Sequence, residues 1–286
     1  MRSWHTPDGR ARARRNVKQT LLRTARDWTP PIVSRALRNV LPFGTRFRGH
    51  FGTWRQAVDA STGYATDQVF ERVKAAALKV KAGEAAYERD SVLFDEVRYS
   101  GLLLAGLLRA AAWNDNRLCV LDFGGALGSS YYQNRPFLSG LKDLRWCVVE
   151  QERFVVTGRE SFADEQLGFY HDVEECLGQE GPDVALFSSV LAYLEDPYEV
   201  LAAVGRHGLQ TVIVDRTYFH DGREDRLAIQ TVPSRIYKAD YPAWIFSTDK
   251  FLDFMEGVGY RSLGDFESFD KANSRMDYRG YVFDRS

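Results

Sequence analysis

Acids and glycines at fixed spacing are the chemistry-bearing feature of this 286-residue chain. Asp122 is followed by Gly124, Gly125 and Gly128, and a second acid, Glu150, stands 22 residues beyond Gly128. Glycines after a strand let the backbone turn sharply and let a ligand approach without meeting a Cβ. An acid about 20 residues past such a turn is where a nucleotide-binding sheet places its ribose-hydroxyl acceptor. A dinucleotide fingerprint, G-x-G-x-x-G, is met by no register of these glycines. Asp122-Phe123-Gly124 matches a kinase metal motif but lacks the companion motifs of that class.

A second group of reactive types lies at 215–244. Asp215, Arg216, Tyr218, His220, Tyr241 and Trp244 combine charged hydrogen-bonding groups with aromatic faces, a mixture suited to a sugar or nucleotide-sugar. His220 is the expected general base because an imidazole titrates near neutrality, and Asp215 is the expected second catalytic residue. A surface histidine without a role is the alternative. Arg216, Tyr218, Tyr241 and Trp244 are the expected acceptor contacts. His220, Asp215 and Asp221 are too loosely spaced to favour a metal, and none is expected.

The elements that must position these groups follow from the apolar runs. Leu118–Leu121, Trp146–Val149, Leu167–Tyr170, Val184–Phe187 and Val212–Val214 have the length of buried strands and alternate with helical stretches. That rhythm predicts an α/β fold with a parallel sheet and right-handed crossovers, whose ligands sit beyond the carboxyl ends of the strands. Asp172 follows the third strand, where it can cap the next helix. Thr66 is expected to start a helix, and a Leu-rich helix is expected over 96–112. These two give a helical lid and packing region over 49–113, ahead of a catalytic domain over 114–286.

The run Asp122-x-Gly-x-x-x-Gly resembles the first motif of class I S-adenosylmethionine-dependent methyltransferases, with Ala126 where that motif has its central glycine. Val184–Val204 resembles the fourth strand and following helix of the same enzymes. More closely, residues 50–286 resemble a family of bacterial methyltransferases associated with surface-polysaccharide biosynthesis. The resemblance rests on Phe51-Gly52-Thr53-Trp54, Gly63-Tyr64, the 122–128 turn, Asp215-Arg216-Thr217 and Tyr241-Pro242-Ala243-Trp244. It implies a Rossmann-like class I methyltransferase fold: a seven-stranded, mostly parallel sheet with helices on both faces, the last helix near 246–252 and an antiparallel seventh strand at 278–283. It also implies S-adenosyl-L-methionine as cofactor, held by Asp122, Gly124, Gly125, Gly128, Glu150, Asp172 (at the adenine) and Ser188. The implied function is O-methylation of a sugar or glycan precursor. Two alternatives are a catalytically silent assembly factor at the membrane and a nucleotide-sugar oxidoreductase or epimerase. The failed dinucleotide fingerprint and the absence of a Tyr-x-x-x-Lys pair weigh against the last.

Composition bounds the rest. Hydrophobic residues make up 44% and charged residues 27%, which suits a globular domain of this length. Three cysteines without paired spacing suggest buried core thiols and a cytoplasmic setting. Residues 1–48 carry twelve Lys and Arg against two Asp, while the whole chain is at −1, so the remainder is acidic. This segment is expected to be a basic, partly helical N-terminal extension, with apolar spacing from Ile32 to Leu41. It can lie against an anionic inner-membrane surface or pack on the main domain. No nucleic-acid partner is expected, since the body is acidic and lacks interleaved basic and stacking residues.

Overall fold

The computed structural model describes residues 46–62, 66–89, 91–231, 239–267 and 277–286. The helix expected over 32–41, Gly63-Tyr64 and nearly all of the basic extension lie outside these residues.

The centre of the sheet is β4 (Arg117–Phe123), whose Leu118, Val120 and Leu121 are fully buried. It pairs in parallel with β5 (Asp143–Val149) on one side and β7 (Val184–Ser188) on the other. β6 (Leu167–Tyr170) lies outside β5, and β8 (Thr211–His220) outside β7, both again parallel. β12 (Asp277–Arg285) runs antiparallel along β8, and β11 (Tyr260–Glu267) runs antiparallel along β12. The resulting order, β6-β5-β4-β7-β8-β12-β11, is the seven-stranded sheet of the class I methyltransferase fold, with one antiparallel strand inserted near its edge.

Successive side chains of a strand face opposite ways, and this sorts the core into two layers. Ile213 and Val282 face helices α3 (Gly101–Trp113), α4 (Ser129–Leu138) and α5 (Glu152–Ser161). Val212, Val214 and Phe283 face α7 (Pro197–His207) and α8 (Thr248–Gly257). α6 (Val173–Glu180) lies on that same side, closing a small cluster of Cys119, Cys147 and Cys176, all buried free thiols. α8 begins where Ser247 accepts the Lys250 N–H, so the last helix runs slightly later than expected.

The structure also departs from the sequence reading in two places. β8 outruns its neighbours, and its last residues, Phe219 and His220, pair with Phe246 and Ser247 of β10 (Asp240–Ser247). β10 pairs antiparallel with β9 (Arg226–Thr231), and β9 with β1 (Arg46–Phe51), so three strands extend the seven. Arg46–Arg48, assigned by charge to the extension, therefore belong to a strand of the sheet.

The region 49–113 is also not wholly helical. Between α1 (Trp54–Asp59) with α2 (Thr66–Lys81) and α3 stands a hairpin of β2 (Tyr87–Arg89) and β3 (Val92–Phe94). α3 starts at Gly101 rather than 96 and belongs to the core. Leu107 is fully buried, and a Cβ on Gly106 would come within 3.0 Å of Ile213 and 3.1 Å of Val282. Among the described residues, no helix is long and apolar enough to cross a membrane.

Candidate active site at the carboxyl edge of the sheet

The glycine turn sits where β4 ends. Gly124 (φ +72°) and Gly128 (φ +91°) occupy the left-handed region, and a Cβ on Gly124 would fall 2.5 Å from Val190. Gly125 lies directly on Asp122, so that a Cβ there would be 2.6 Å from the carboxylate. Ala126 adopts φ +52° although it has a Cβ, so the departure from the glycine motif leaves the turn geometry intact with local strain. Gly128 then caps α4.

Asp122 is fully buried. Its Oδ2 accepts the Trp146 indole N–H at 2.8 Å, whereas Oδ1 is buried with no hydrogen-bond partner. Burial pushes its pKa up to about 7 against the opposing pull of the indole. Glu150, at the end of β5, accepts the Gln151 N–H at 2.8 Å and a main-chain bond from Ala126. Burial raises its pKa as well. The second acid therefore touches the glycine turn itself.

Beside the turn, the ends of β7 and β8 carry a hydrogen-bonded chain. The Ser188 hydroxyl donates to Asp215 Oδ2 at 3.0 Å and accepts from Arg216 Nε at 3.2 Å. Asp215 is buried, which raises its pKa, while Arg216 and Ser188 work against that shift. Opposite them the β12 pairing steps from Arg279–Thr217 to Tyr281–Val214, so β8 carries an extra residue here. Arg216 occupies that bulge at φ +51°, and neighbouring Ser189 stands at φ +60° with its hydroxyl 3.1 Å from Tyr278. Bulges re-aim side chains, and left-handed non-glycine residues persist only where the surroundings enforce them. Ala126, Ser189 and Arg216 all lie at this one edge.

The β2–β3 hairpin closes the site from above. Glu88, buried, accepts the hydroxyl of Ser129, the first residue of α4, and the Ser91 N–H at 3.0 Å. Arg89 reaches Gln133 and lines a gap shared with Ser100, Asn134, Asp215 and Arg216. Neither Glu88 nor Arg89 was singled out from sequence. The eight-residue stretch is too short and too charged to carry a periodic signal.

The remaining expected residues divide. Asp172 is exposed, and its carboxylate accepts the Glu175 N–H at 2.7 Å, so the structure uses it as the N-cap of α6. Asp172→Ala should cost about 1 kcal/mol in urea unfolding and leave ligand affinity unchanged. Loss of affinity without loss of stability would return it to the site.

His220 does not join Asp215. They stand five positions apart along the strand, roughly 15 Å at the usual rise. Its Nδ1 accepts the Gly222 N–H at 2.9 Å, and burial, with Arg226 nearby, lowers its pKa. The sequence placed His220 in a loop after the fifth strand, but that strand runs on through it. It is a buried strand residue, and its Nε2 has no hydrogen-bond partner among the described residues.

Tyr218 packs edge-on to Phe47 and at 4.5 Å from Tyr278, next to the Ser189 hydroxyl. Tyr241 and Tyr193 meet edge-to-face around the buried Gln230, to which Tyr193 donates at 3.1 Å. Trp244 stacks on Trp54 and donates to the Leu194 carbonyl at 3.1 Å, so it tethers the added strands to the loop after β7.

No known protein family matches the chain, and no curated protein matches it by sequence. Among solved structures it is similar to the mitomycin 7-O-methyltransferase MmcR (18% identity, TM-score 0.42, covering 64% of this chain and 54% of that one). It is also similar to the magnesium protoporphyrin IX methyltransferase ChlM of Synechocystis PCC 6803 with bound SAM (14%, 0.41, 65% and 78%). A third is the N-terminal domain of EvdMO1 with SAH and D-fucose (13%, 0.42, 78% and 98%). The chain thus spans about half the length of the mitomycin enzyme. What identifies the fold is the strand order itself.

Proposed function

We propose that this chain is a methyltransferase that uses S-adenosyl-L-methionine and transfers its methyl group to a hydroxyl of a sugar or glycan precursor. The observation that carries the reading is the cradle at the end of β4. The left-handed glycine turn packs against Val190 and Asp122, a buried carboxylate oxygen of Asp122 has no hydrogen-bond partner, and Glu150 accepts from the turn's Ala126. Those residues fit the cofactor's chemistry: Glu150 can accept ribose hydroxyls, and Asp122 supplies negative charge under a ligand that is cationic. When bound, the cofactor supplies a methyl carbon made electrophilic by positively charged sulfur.

The protein's own part is alignment and proton handling. Asp215, fixed by Ser188 and Arg216, is the carboxylate at this edge best placed to receive an acceptor's proton. Tyr193, Gln230 and Tyr241 offer the ring faces and hydrogen-bonding groups that suit a sugar. In this reading the basic segment 1–45 would rest on an anionic membrane surface from the cytoplasmic side, as its charge favours.

The test is calorimetry with S-adenosylhomocysteine, followed by release of that product from S-adenosylmethionine in the presence of extracted glycan precursors. Glu150→Ala should weaken binding roughly ten- to hundredfold, since it removes an acceptor from buried hydroxyls. Unchanged affinity in that variant would move the ribose elsewhere.

A further inference from the structure

A groove of about 500 Å³ lies between α2 and β3, a size that suits a small-molecule ligand. Arg72, Ala75, Ala76 and Lys79, spaced i, i+3, i+4 and i+7, form one wall along a single face of the helix. Ser91, Val92 and Leu93 form the other. Val92 and Leu93 are 40% and 37% exposed, so two of the three residues of β3 present large apolar side chains to solvent. Resting on the acceptor reading above, we propose that this groove holds the lipid end of the acceptor, an alkyl chain ending in the phosphate that bears the sugar.

Charge and position carry the proposal. The apolar walls are bracketed by two cations, Arg72 and Lys79, about two helical turns apart, and among the described residues that line the groove none is acidic. Arg72 is also engaged elsewhere, whereas the Lys79 ammonium forms no ion pair among the described residues, so Lys79 is the cation that a phosphate meets. Apolar surface beside fixed positive charge suits an anionic amphiphile better than a free sugar or a simple anion.

Position ties that ligand to the candidate site. In the hairpin ladder Val92 pairs with Arg89, and Leu93 with Glu88. Val92 and Leu93 wall the groove, while Arg89 lines the gap beside Asp215 and Glu88 accepts from Ser129 at the start of α4. Paired residues of neighbouring strands stand about 5 Å apart, so groove and site flank one narrow ladder. A chain and phosphate seated in the groove leave the attached sugar within reach of Asp215 across the hairpin.

The probe is octyl phosphate, titrated calorimetrically into the full chain, with 1-octanol and inorganic phosphate as its two halves. One-to-one binding of octyl phosphate is expected, about tenfold or more tighter than either half. Lys79→Gln should weaken it about tenfold, as should Ala75→Trp, which fills the groove from its exposed rim. Unchanged affinity for S-adenosylhomocysteine in both variants reports that each is folded with its cofactor site intact. In methyl transfer to extracted glycan precursors, octyl phosphate should compete with the precursor and not with S-adenosylmethionine. Octyl phosphate binding that neither variant weakens, or that 1-octanol or phosphate alone matches, would overturn the proposal. So would inhibition that does not compete with the precursor, the result expected if the groove takes a bilayer lipid instead. Silence from S-adenosylhomocysteine on the wild type would overturn the methyltransferase reading itself, a failure distinct from that of the octyl phosphate titrations, which need no cofactor.

Discussion

Replacing Arg109 with Ala is expected to lower the unfolding free energy by about 3 kcal/mol, the low end of what breaking a buried ion pair costs. Asp284 is almost wholly buried at the edge of the sheet opposite the site. Its Oδ2 accepts from Arg109 Nε at 3.1 Å and Nη2 at 2.6 Å, and its Oδ1 accepts from Thr211 at 3.2 Å. The same guanidinium lies 3.9 Å over the Trp113 ring. Removing it leaves a carboxylate in the core with one neutral donor, between α3, β8 and β12. Arg109 is partly exposed, which holds the cost to the low end. For a domain of this size the loss corresponds to a Tm lower by roughly 6–12 °C. Because the pair is far from the glycine turn, ligand affinity should be unaffected. Arg109→Met paired with Asp284→Leu should recover most of the loss. A loss under about 1 kcal/mol in Arg109→Ala would show that the pair is not a structural tie.

The second large effect is on the pH dependence of stability, and Asp122 is its source. Its carboxyl is held near pKa 7 in the folded protein against an ordinary value of 3.8. Between those values the folded chain keeps a proton that the unfolded chain has lost. Stability therefore falls as pH rises from about 4 to about 7, and levels off above that. Roughly three pKa units correspond to a fall of up to about 4 kcal/mol. Asp215 and Glu150, both raised by burial, act in the same direction. Asp122→Asn should flatten most of the slope and leave the variant at least as stable as the parent at pH 8, since the amide oxygen can still accept from Trp146. Urea unfolding from pH 4 to 8 measures it, and a parent whose stability rises across that window would contradict the environment assigned to Asp122.

The legible and illegible parts of this protein divide along a physical line. Strand β4 and its turn could be read because four apolar residues, an acid and three glycines each answer to a local rule. The five parallel strands followed from the same rule repeated. Asp172 could be read as a cap or as an adenine contact, and the capping bond to the Glu175 N–H follows a local rule that depends only on the next three residues.

His220 was not legible, since whether a strand stops or continues depends on a partner, here β10, that lies more than twenty residues further on. Arg216 looked like an ordinary loop cation, and only the unequal pairing of β8 with β12 exposes its bulge. Glu88 and Arg89 were missed for a third reason. The burial of Glu88 comes with its contact to Ser129 of α4, and nothing in Tyr87–Phe94 itself encodes it. The glycine turn and the acids beside it were thus largely written in local sequence, while the groups that close over them depend on tertiary contacts.

The most direct test of the central claim is a calorimetric comparison of S-adenosylhomocysteine, NAD and a nucleotide-sugar on the full chain. The expected result is saturable one-to-one binding of S-adenosylhomocysteine at micromolar concentration, weakened in Glu150→Ala, with no heat from the other two. Binding of NAD or the nucleotide-sugar in its place, or silence from S-adenosylhomocysteine at millimolar concentration, would contradict it.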